Sequence, residues 1–537
     1  SRSALARIRR DQAALERRIR AAVPSARVWW RYQVVLNGLA VVVPADQVAR
    51  LGRVAGAAHV TPAIAYHRAA AGSGAARALD EVPALIGATG LWGSAPADAG
   101  RGVKIAILDD GLEVGHPFFS ADGMTMPAGF PRGQTQFTSA KVIVARAFPA
   151  AGVSWKYAGQ AYDPENSEHA IHVAGIAAGA SGTVAASGGL KRTLSGVAPG
   201  AWLGNYKVLG TPTPGFGLDG NAPEIAAGIE AAVKDGMDII NLSLGEPEIA
   251  PERDIVVKAL SAAARAGVVP VVAAGNDFDV VGPGSVDSPG NTPEAITVAA
   301  ATKQGLIADF SSGGPTPVSL QMKPDVTAPG VNVYSSYPTR EGTWTSLSGT
   351  SMATPVVAGS VALLLQRHPA WSPAQVKSAL ATTGAPVYAT VQKRLEVSAT
   401  REGGGLIDLG KADKPLLFAQ PTGLSFGLVA PGTAAEGEAT GFVELTGAGG
   451  DRRIAVWLRV ARPKLGRAKT TPLATPGLHA GNTRGQAALV STYRYPDSGP
   501  AIGIPTLLPG PEQVFRVHIT GARREATRRC GGRRRHR

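Results

Sequence analysis

Three short segments of the chain carry residue types that together can build a nucleophilic catalyst. Asp109 follows the apolar run from Val103 to Leu108, and His169 and Ser351 each lie at the start of a predicted helix. A serine hydroxyl becomes nucleophilic when a histidine takes its proton, and a carboxylate orients the imidazole and stabilises its cation. Each segment alone is ambiguous, but the three residue types are the parts of such a catalyst.

A fourth segment adds a hydrogen-bond donor to the candidate site. Asn276 follows the apolar run from Val268 to Ala274, where its side-chain N–H can reach an oxyanion. Ser351 opens a helix, so partly positive backbone N–H groups lie beside it, and we expect Pro355 in the first turn of that helix. The order Asp, His, Asn, Ser on alternating elements is difficult to obtain by chance.

The elements that position these residues alternate between strands and helices. Apolar runs at 103–108, 238–244 and 268–274 predict buried strands, and 222–235 and 253–266 predict helices between them. Such alternation favours a parallel sheet with helices on both faces. Ser372, Pro373 and Gln375 have the spacing of a helix-starting capping box.

Different patterns precede and follow this α/β region. The first 67 residues predict a small α+β domain, and the region after Lys414 predicts a β-sandwich, because alternating runs with many Gly and Pro replace the helical patterns. The predicted N-terminal elements are helices at 3–22 and 45–53 and strands at 28–35, 39–43 and 59–61; the predicted C-terminal strands lie at 441–445, 453–460 and 513–520.

The four segments resemble the signatures of the subtilisin-like (subtilase) serine proteases, and Gly-Thr-Ser351-Met-Ala-Thr-Pro is the most specific match. The resemblance covers roughly residues 80–412. It implies Asp109 as orienting acid, His169 as general base, Ser351 as nucleophile and Asn276 as oxyanion donor. For substrate binding, the resemblance points to residues in or next to the matching segments: Ser243, Leu244, Gly245, Ala274, Gly275 and Asp287. The N-terminal unit resembles the family's inhibitor-type pro-domains, and the C-terminal unit resembles fibronectin-III-like appendages.

The chain departs from the family pattern close to the catalytic segments. Asp110 replaces the usual Ser or Thr and could raise a pKa of the Asp109–Asp110 pair. Ala170-Ile171 replaces Gly-Thr and could shift His169, and Val356 replaces a common His.

Primary specificity is predicted from one acidic residue. Asp287 falls near the position of the family's primary specificity pocket, where a carboxylate would favour Arg or Lys. Arg68 and Arg77 lie in the segment 68–79, which lacks apolar periodicity and follows the N-terminal unit, and this fits self-cleavage after Arg. Asp287 could instead be a solvated loop residue or a cation ligand.

Charge and composition exclude several other classes of protein. The net charge of +14 comes mainly from the two ends: residues 1–20 hold seven Arg against two acids, and residues 521–537 hold eight Arg against one acid. We therefore expect no nucleic-acid binding. No apolar run approaches about 18 residues, so no membrane span is expected. An esterase of the α/β-hydrolase class would need Gly-x-Ser-x-Gly, whereas Met352 and Ala353 follow Ser351.

These observations predict an α/β subtilisin-like catalytic domain between a small α+β pro-domain and an all-β module. The predicted boundaries are 1–70 for the pro-domain, 71–80 for a linker, 81–412 for the catalytic domain, 413–520 for the β-sandwich and 521–537 for an Arg-rich tail with the only cysteine, Cys530.

The predicted function is hydrolysis of peptide bonds in protein or peptide substrates by a secreted, self-processed zymogen that binds its own pro-domain. The alternative is a catalytically impaired subtilase-like binding protein. His116 and His172 are interpreted as structural, and no cofactor is expected for the chemistry. Structural calcium is common in the family, but no Asp-rich loop locates a site.

Overall fold

The computed structural model describes residues 2–68, 72–73, 82–187, 190–214, 217–429, 437–460, 470–473 and 514–517. Within these ranges the α-helices are α1 (Arg2–Ala22), α2 (Val48–Leu51), α3 (Val82–Leu85), α4 (His169–Ala178), α5 (Ala222–Asp235), α6 (Ile255–Arg265), α7 (Phe278–Val281), α8 (Thr350–Arg367), α9 (Pro373–Thr382), α10 (Ala399–Glu402) and α11 (Leu409–Ala412).

The described strands belong to several sheets. They are β1 (Arg27–Tyr32), β2 (Gly38–Val42), β3 (Ala65–Arg68), β4 (Gly72–Ser73), β5 (Lys104–Asp109), β6 (Arg132–Gly133), β7 (Val142–Ala147), β8 (Thr183–Ser187), β9 (Leu190–Leu194), β10 (Trp202–Lys207), β11 (Thr211–Thr213), β12 (Gly217–Asn221), β13 (Ile239–Leu242), β14 (Leu244–Gly245), β15 (Val269–Ala273), β16 (Ile296–Ala301), β17 (Val326–Pro329), β18 (Val333–Ser336), β19 (Trp344–Ser348), β20 (Gly423–Val429), β21 (Gly437–Leu445), β22 (Arg452–Val460), β23 (Thr470–Leu473) and β24 (Val514–Val517).

An eight-stranded sheet forms the centre of the molecule, in the order β17-β16-β15-β13-β5-β10-β7-β6. Every neighbouring pair in it is parallel. Strands that follow β5 in the chain lie on both sides of it in the sheet, so β5 lies at the point where the strand order reverses. Ligands of open parallel sheets bind at the carboxyl end of such a strand. Asp109 is the last residue of β5.

Side chains that alternate along β5 separate two apolar cores. Ile105 and Ile107 belong to the core that includes α4 and α8, while Ala106 and Leu108 belong to the core that includes α5 and α6. The near-continuous apolar runs of the sequence arise because both faces of the sheet are buried. The predicted parallel sheet with helices on both faces is confirmed, and Ser372 with Gln375 forms the predicted capping box of α9.

The N-terminal unit is built from α1, β1, β2 and α2, and β1 pairs with β2 in antiparallel orientation. Its own small core consists of Ile19, Val23, Ala26, Leu51 and Val54. The predicted strand at 59–61 is wrong, because the chain instead forms β3 at Ala65–Arg68. β3 takes its partners from the region beyond residue 200, which local sequence patterns do not reveal.

The segment after the N-terminal unit contacts the α/β domain through two short strands. β3 lies between β12 and β14, antiparallel to both, with Gly220 opposite Tyr66 and Leu244 opposite Arg68. β4 pairs in antiparallel orientation with β19, with Ser348 opposite Gly72. β3 therefore lies at the end of the predicted pro-domain and β4 within the predicted linker, and both pair with strands of the α/β domain.

The described C-terminal residues form a three-stranded sheet, β20-β22-β21, and a separate pair of strands, β23 and β24. Trp457 of β22 is fully buried in a cluster with Met322 and Ala399. Arg453 forms ion pairs with Glu396 and Glu402 of the preceding domain. Most of the remaining residues of the predicted β-sandwich, and the Arg-rich tail with Cys530, lie outside the described residues.

Candidate active site

Asp109 and His169 form a buried pair at the carboxyl end of the sheet. Asp109 ends β5 and His169 begins α4. His169 Nδ1 lies 2.9 Å from Asp109 Oδ2 and 3.0 Å from Oδ1. Burial opposes charge on the imidazole, but the contact with Asp109 outweighs burial, so the pKa of His169 lies above its usual value. Within the described ranges, the buried Nε2 of His169 has no hydrogen-bond partner.

Ser351 is the second residue of α8 and is fully buried. Its hydroxyl donates to the Ser243 carbonyl at 3.1 Å, and the Ser243 hydroxyl donates to the Ser351 carbonyl at 3.0 Å. Pro355 is the sixth residue of α8, so our expectation that it lies in the first turn is wrong. Because Pro355 has no N–H for the carbonyl four residues earlier, that carbonyl of Ser351 is open to Ser243.

Asn276 follows β15 and is fixed by the start of α8. Its Oδ1 accepts from the Thr350 backbone N–H at 2.8 Å and from the Thr350 hydroxyl at 2.9 Å. The amide N–H donors therefore face away from Thr350. Gly275 has a φ of 108°, and a Cβ there would lie 2.4 Å from Asp287 Oδ2, so a side chain at this position would be strained and would clash.

Asp110, which is unusual for the family, supports the start of α4. Its Oδ2 accepts from the backbone N–H of Glu168 at 3.2 Å and of His169 at 3.0 Å, and its Oδ1 accepts from Ala170 at 2.9 Å. Burial, reinforced by the neighbouring Asp109, raises the pKa of Asp110 to about 6. The expected pKa increase is therefore present, but sequence reasoning missed the capping role because the cap comes from another element.

The other departures are packed into the interior. The side chains of Ile171 and Val356 are fully buried in the core that includes α4 and α8. His172 is also buried; burial lowers its pKa to about 3, and its Nε2 lies 3.3 Å from the Thr345 carbonyl. His116 accepts from the Phe118 N–H through Nδ1 and contacts the Thr343 carbonyl through Nε2. Both histidines have the surroundings of structural residues.

The predicted substrate-binding residues lie around one cleft. β14 (Leu244–Gly245) is an edge that pairs with β3, and the segment Ala274–Gly275 lies across from it, with Asp287 between them. Asp287 is 7% exposed, and its N–H donates to the Ala274 carbonyl at 3.0 Å. The role of Asp287 in specificity stays a prediction.

Of the two arginines expected near a self-cleavage site, the structure describes Arg68 but not Arg77. Arg68 does not lie against Asp287; its guanidinium forms an ion pair with Glu168, the residue just before His169. Arg77 lies outside the described residues. No role was predicted for Glu168, because its partner Arg68 is 100 residues away in the chain.

Comparison with known proteins gives the family of the chain. Residues 100–406 match the subtilase family. Subtilisin Savinase of Lederbergia lenta is 33% identical over 291 residues, covering 54% of this chain and 86% of the relative. Subtilisin DY of Bacillus licheniformis is 32% identical over 284 residues, covering 53% and 84%. An alkaline protease of Alkalihalobacillus alcalophilus is 33% identical over 291 residues, covering 54% and 61%.

These matches define the class of protein as a serine-type endopeptidase, a hydrolase. The family match spans more than half of the chain, so the chain belongs to the subtilase family. The predicted family is thereby confirmed. Across the part of the chain that the structure describes, every helix is too short or too polar to cross a membrane.

Proposed function

We propose that this endopeptidase cleaves protein substrates through Ser351, His169 and Asp109, and that it is made as a zymogen that cuts itself after its N-terminal unit. The observation that carries the proposal is the buried Asp109–His169 pair, with both Asp109 oxygens at hydrogen-bond distance from His169 Nδ1. Asp109 thereby fixes the Nδ1–H tautomer, which leaves the Nε2 lone pair as the base.

The first half of the reaction forms an acyl-enzyme. The Ser351 hydroxyl leaves the Ser243 carbonyl, transfers its proton to His169 Nε2, and its Oγ attacks the substrate carbonyl carbon. The oxyanion that forms accepts from the Asn276 amide and from the Ser351 backbone N–H at the start of α8. His169 then returns the proton to the departing amine as the C–N bond breaks.

The second half regenerates the enzyme. Water replaces the amine, gives a proton to His169 and attacks the acyl carbon, and the proton returns to Ser351 as the acid product leaves. The Asp109 carboxylate stabilises the imidazolium in both halves. All these steps use protein groups and water. Structural calcium remains a proposal without a site: among the described residues no three His, Cys, Asp or Glu side chains are grouped to hold an ion.

The path of β3 and β4 supports self-processing. β3 pairs with β14, which directly follows Ser243, and β4 pairs with β19, which ends just before Gly349 and Thr350 of the Ser351 segment. The chain therefore approaches the site at Arg68 and leaves it at Gly72, as a substrate strand added to a sheet edge would. We propose that the cut bond lies between these two residues, in a segment outside the described residues.

The docking of the N-terminal unit supports its role as an inhibitory pro-domain. Trp30 Nε1 donates to Glu224 at 3.0 Å, and Tyr32 donates to the Pro223 carbonyl at 2.9 Å. Glu230 accepts from the backbone N–H of Gln33 and Val34 at 2.8–3.1 Å. Action outside the cell, expected from the sequence, is part of the same proposal.

The proposal is tested with the full chain, a Ser351→Ala variant and a Ser360→Ala control. Ser360 is a second buried serine of α8, whose hydroxyl donates to the Val356 carbonyl. We expect the full chain and Ser360→Ala to digest casein and to be labelled and blocked by a fluorophosphonate. Ser351→Ala should not digest casein and should not be labelled by the fluorophosphonate. A folded full chain that stays inert and unlabelled would support the binding-protein alternative instead.

A further inference from the structure

Two side chains of β3 enter separate acidic pockets on the side of the cleft that precedes the cut bond. Tyr66 lies opposite Gly220 and Arg68 opposite Leu244. His67 lies between them, with its Nδ1 2.8 Å from Asp219 Oδ1 at a partly exposed position. Because side chains of a strand alternate, Tyr66 and Arg68 share one face.

The Tyr66 pocket ends in a fixed hydrogen-bond acceptor. The ring is fully buried, and its hydroxyl donates to Asp254 Oδ2 at 3.0 Å. Asp254 Oδ1 accepts from the N–H groups of Val256 and Val257 at the start of α6, so Oδ2 is held toward the tyrosine. The Ser288 hydroxyl also donates to Oδ2, so a phenylalanine in place of tyrosine would remove one of two donors from this buried carboxylate oxygen, which is costly.

A second carboxyl group shapes the same pocket. Burial and the nearby charge of Asp254 raise the pKa of Glu246 to about 9, so Glu246 is neutral at pH 7. The pKa of Tyr66 lies well above its usual value, mainly through burial, so the hydroxyl keeps its proton. The pocket therefore presents one charged acceptor to a neutral phenol, and not two repelling charges.

The Arg68 pocket is acidic and closely packed. The guanidinium contacts Glu168, whose other oxygen accepts from the Tyr337 hydroxyl. Burial lowers the pKa of Arg68, but the charges of Asp110 and Glu168 outweigh this and raise it above its usual value. A Cβ on Gly217 would lie 2.8 Å from Arg68 Nη2, so the glycine leaves room for the guanidinium.

Both pockets belong to the enzyme and remain after the N-terminal unit leaves. We propose that the cleft selects substrates with a Tyr-X-Arg segment shortly before the cut bond, with tyrosine held by Asp254 and arginine by Glu168. This inference rests on the proposed endopeptidase function and names its substrate class. Substrate strands pair with the same edges that β3 uses, so their side chains enter the same pockets.

The first test measures kcat/KM of the processed enzyme with internally quenched peptides of the sequence 63–73. Replacing tyrosine by phenylalanine removes a hydrogen bond to a carboxylate, and replacing arginine by citrulline removes the positive charge of an ion pair. Each change should therefore lower kcat/KM by at least about tenfold. Serine in place of the exposed Ala65 is the control and should change it by less than about twofold. Equal cleavage of all these peptides would overturn the inference and leave the proposed function intact.

The second test changes the enzyme and asks whether Glu168 causes the preference for arginine. In Glu168→Gln, the ratio of kcat/KM for the arginine peptide over the citrulline peptide should fall by at least about tenfold. The ratio is taken within one variant, so a general loss of activity at the neighbouring His169 cancels. An unchanged ratio would contradict the role of Glu168.

An activity-independent test uses amide hydrogen exchange on the inactive full-length Ser351→Ala chain. Adding Tyr66→Phe or Arg68→Gln should speed exchange in β3 and β14 by at least about tenfold, while adding Ala65→Ser should not. Unchanged exchange with both changes would overturn the inference. Faster exchange together with no hydrolysis of any peptide would reject the proposed function and keep the recognition.

Discussion

At the scale of single residues, the site depends on charges held in place by backbone groups. Asp109 orients His169, and Asp110 accepts three N–H groups at the start of the helix that carries His169. Two adjacent carboxylates thus have different tasks: one contacts the imidazole, and the other fixes the backbone from which the imidazole projects. Asp110 is a positioning residue.

Replacing Asp110 should change how activity depends on pH. The negative charge of Asp110 is one cause of the raised pKa of His169, and His169 must be neutral to act as the base. In Asp110→Asn that charge is lost, so the pKa of His169 falls and the acid limb of the kcat/KM profile moves to lower pH. The plateau should also fall by about tenfold, because an amide cannot accept all three N–H groups.

The control for this experiment is Asp122→Asn, which removes an exposed carboxylate. Its pH profile should match that of the unmodified enzyme. An Asp110→Asn profile with an unchanged acid limb would show that Asp110 does not influence His169 electrostatically.

At the scale of elements, strand and helix positions follow from buried apolar runs, whereas contacts between distant segments do not. The run before Asp109 predicted β5, and the Ser372–Gln375 spacing predicted the start of α9, because both are local signals. The strand at 65–68 and the Arg68–Glu168 pair depend on partners 100 or more residues away. Local patterns in a single sequence do not reveal contacts between residues that are this far apart in the chain.

The same limit applied to α8 and its proline. The sequence placed Ser351 near the start of a helix, which is correct, but put Pro355 in the first turn. The helix begins at Thr350. Because Pro355 has no N–H, the Ser351 carbonyl accepts instead from the hydroxyl of Ser243, which lies between β13 and β14. This hydroxyl donor from outside the helix satisfies the carbonyl and makes a helix-interior proline tolerable.

Docking of the N-terminal unit on α5 should depend on Glu230. This carboxylate accepts the N–H groups of Gln33 and Val34. Glu230→Ala should weaken binding of the cleaved unit by at least about tenfold, since hydrogen bonds to a charged group are lost. The measurements are the lag before full peptidase activity and co-elution of the N-terminal fragment. Glu252→Ala, at an exposed position, should behave as the unmodified protein; an equal lag in both would argue against this interface.

At the scale of the whole molecule, the described C-terminal sheet packs against the catalytic domain at a distance from the proposed chemistry. Trp457 is fully buried beside Met322 and Ala399, and its Nε1 donates to Glu438 at 2.8 Å. Arg453 adds ion pairs to Glu396 and Glu402. The C-terminal sheet is therefore held on the catalytic domain by the apolar contact of Trp457 and by the ion pairs of Arg453.

Removing the Trp457 side chain should loosen this attachment and spare catalysis. Trp457→Ala should cost about 3–5 kcal/mol of packing stability. We expect faster cleavage of the C-terminal region by an added protease and a lower first thermal transition, with casein hydrolysis retained. Phe426→Ala, at a side chain 59% exposed, is the control and should change neither property. An unaltered thermal transition in Trp457→Ala would contradict the packing role.

The most direct test of the central claim is the intact mass of the full chain after incubation, compared with Ser351→Ala and Ser360→Ala. The arrangement of β3 and β4 on either side of Ser351 predicts that the full chain and Ser360→Ala shorten to a new N-terminus between residues 69 and 72. Ser351→Ala should keep its full mass. A cut elsewhere, or the same cut in Ser351→Ala, would contradict self-processing by this site.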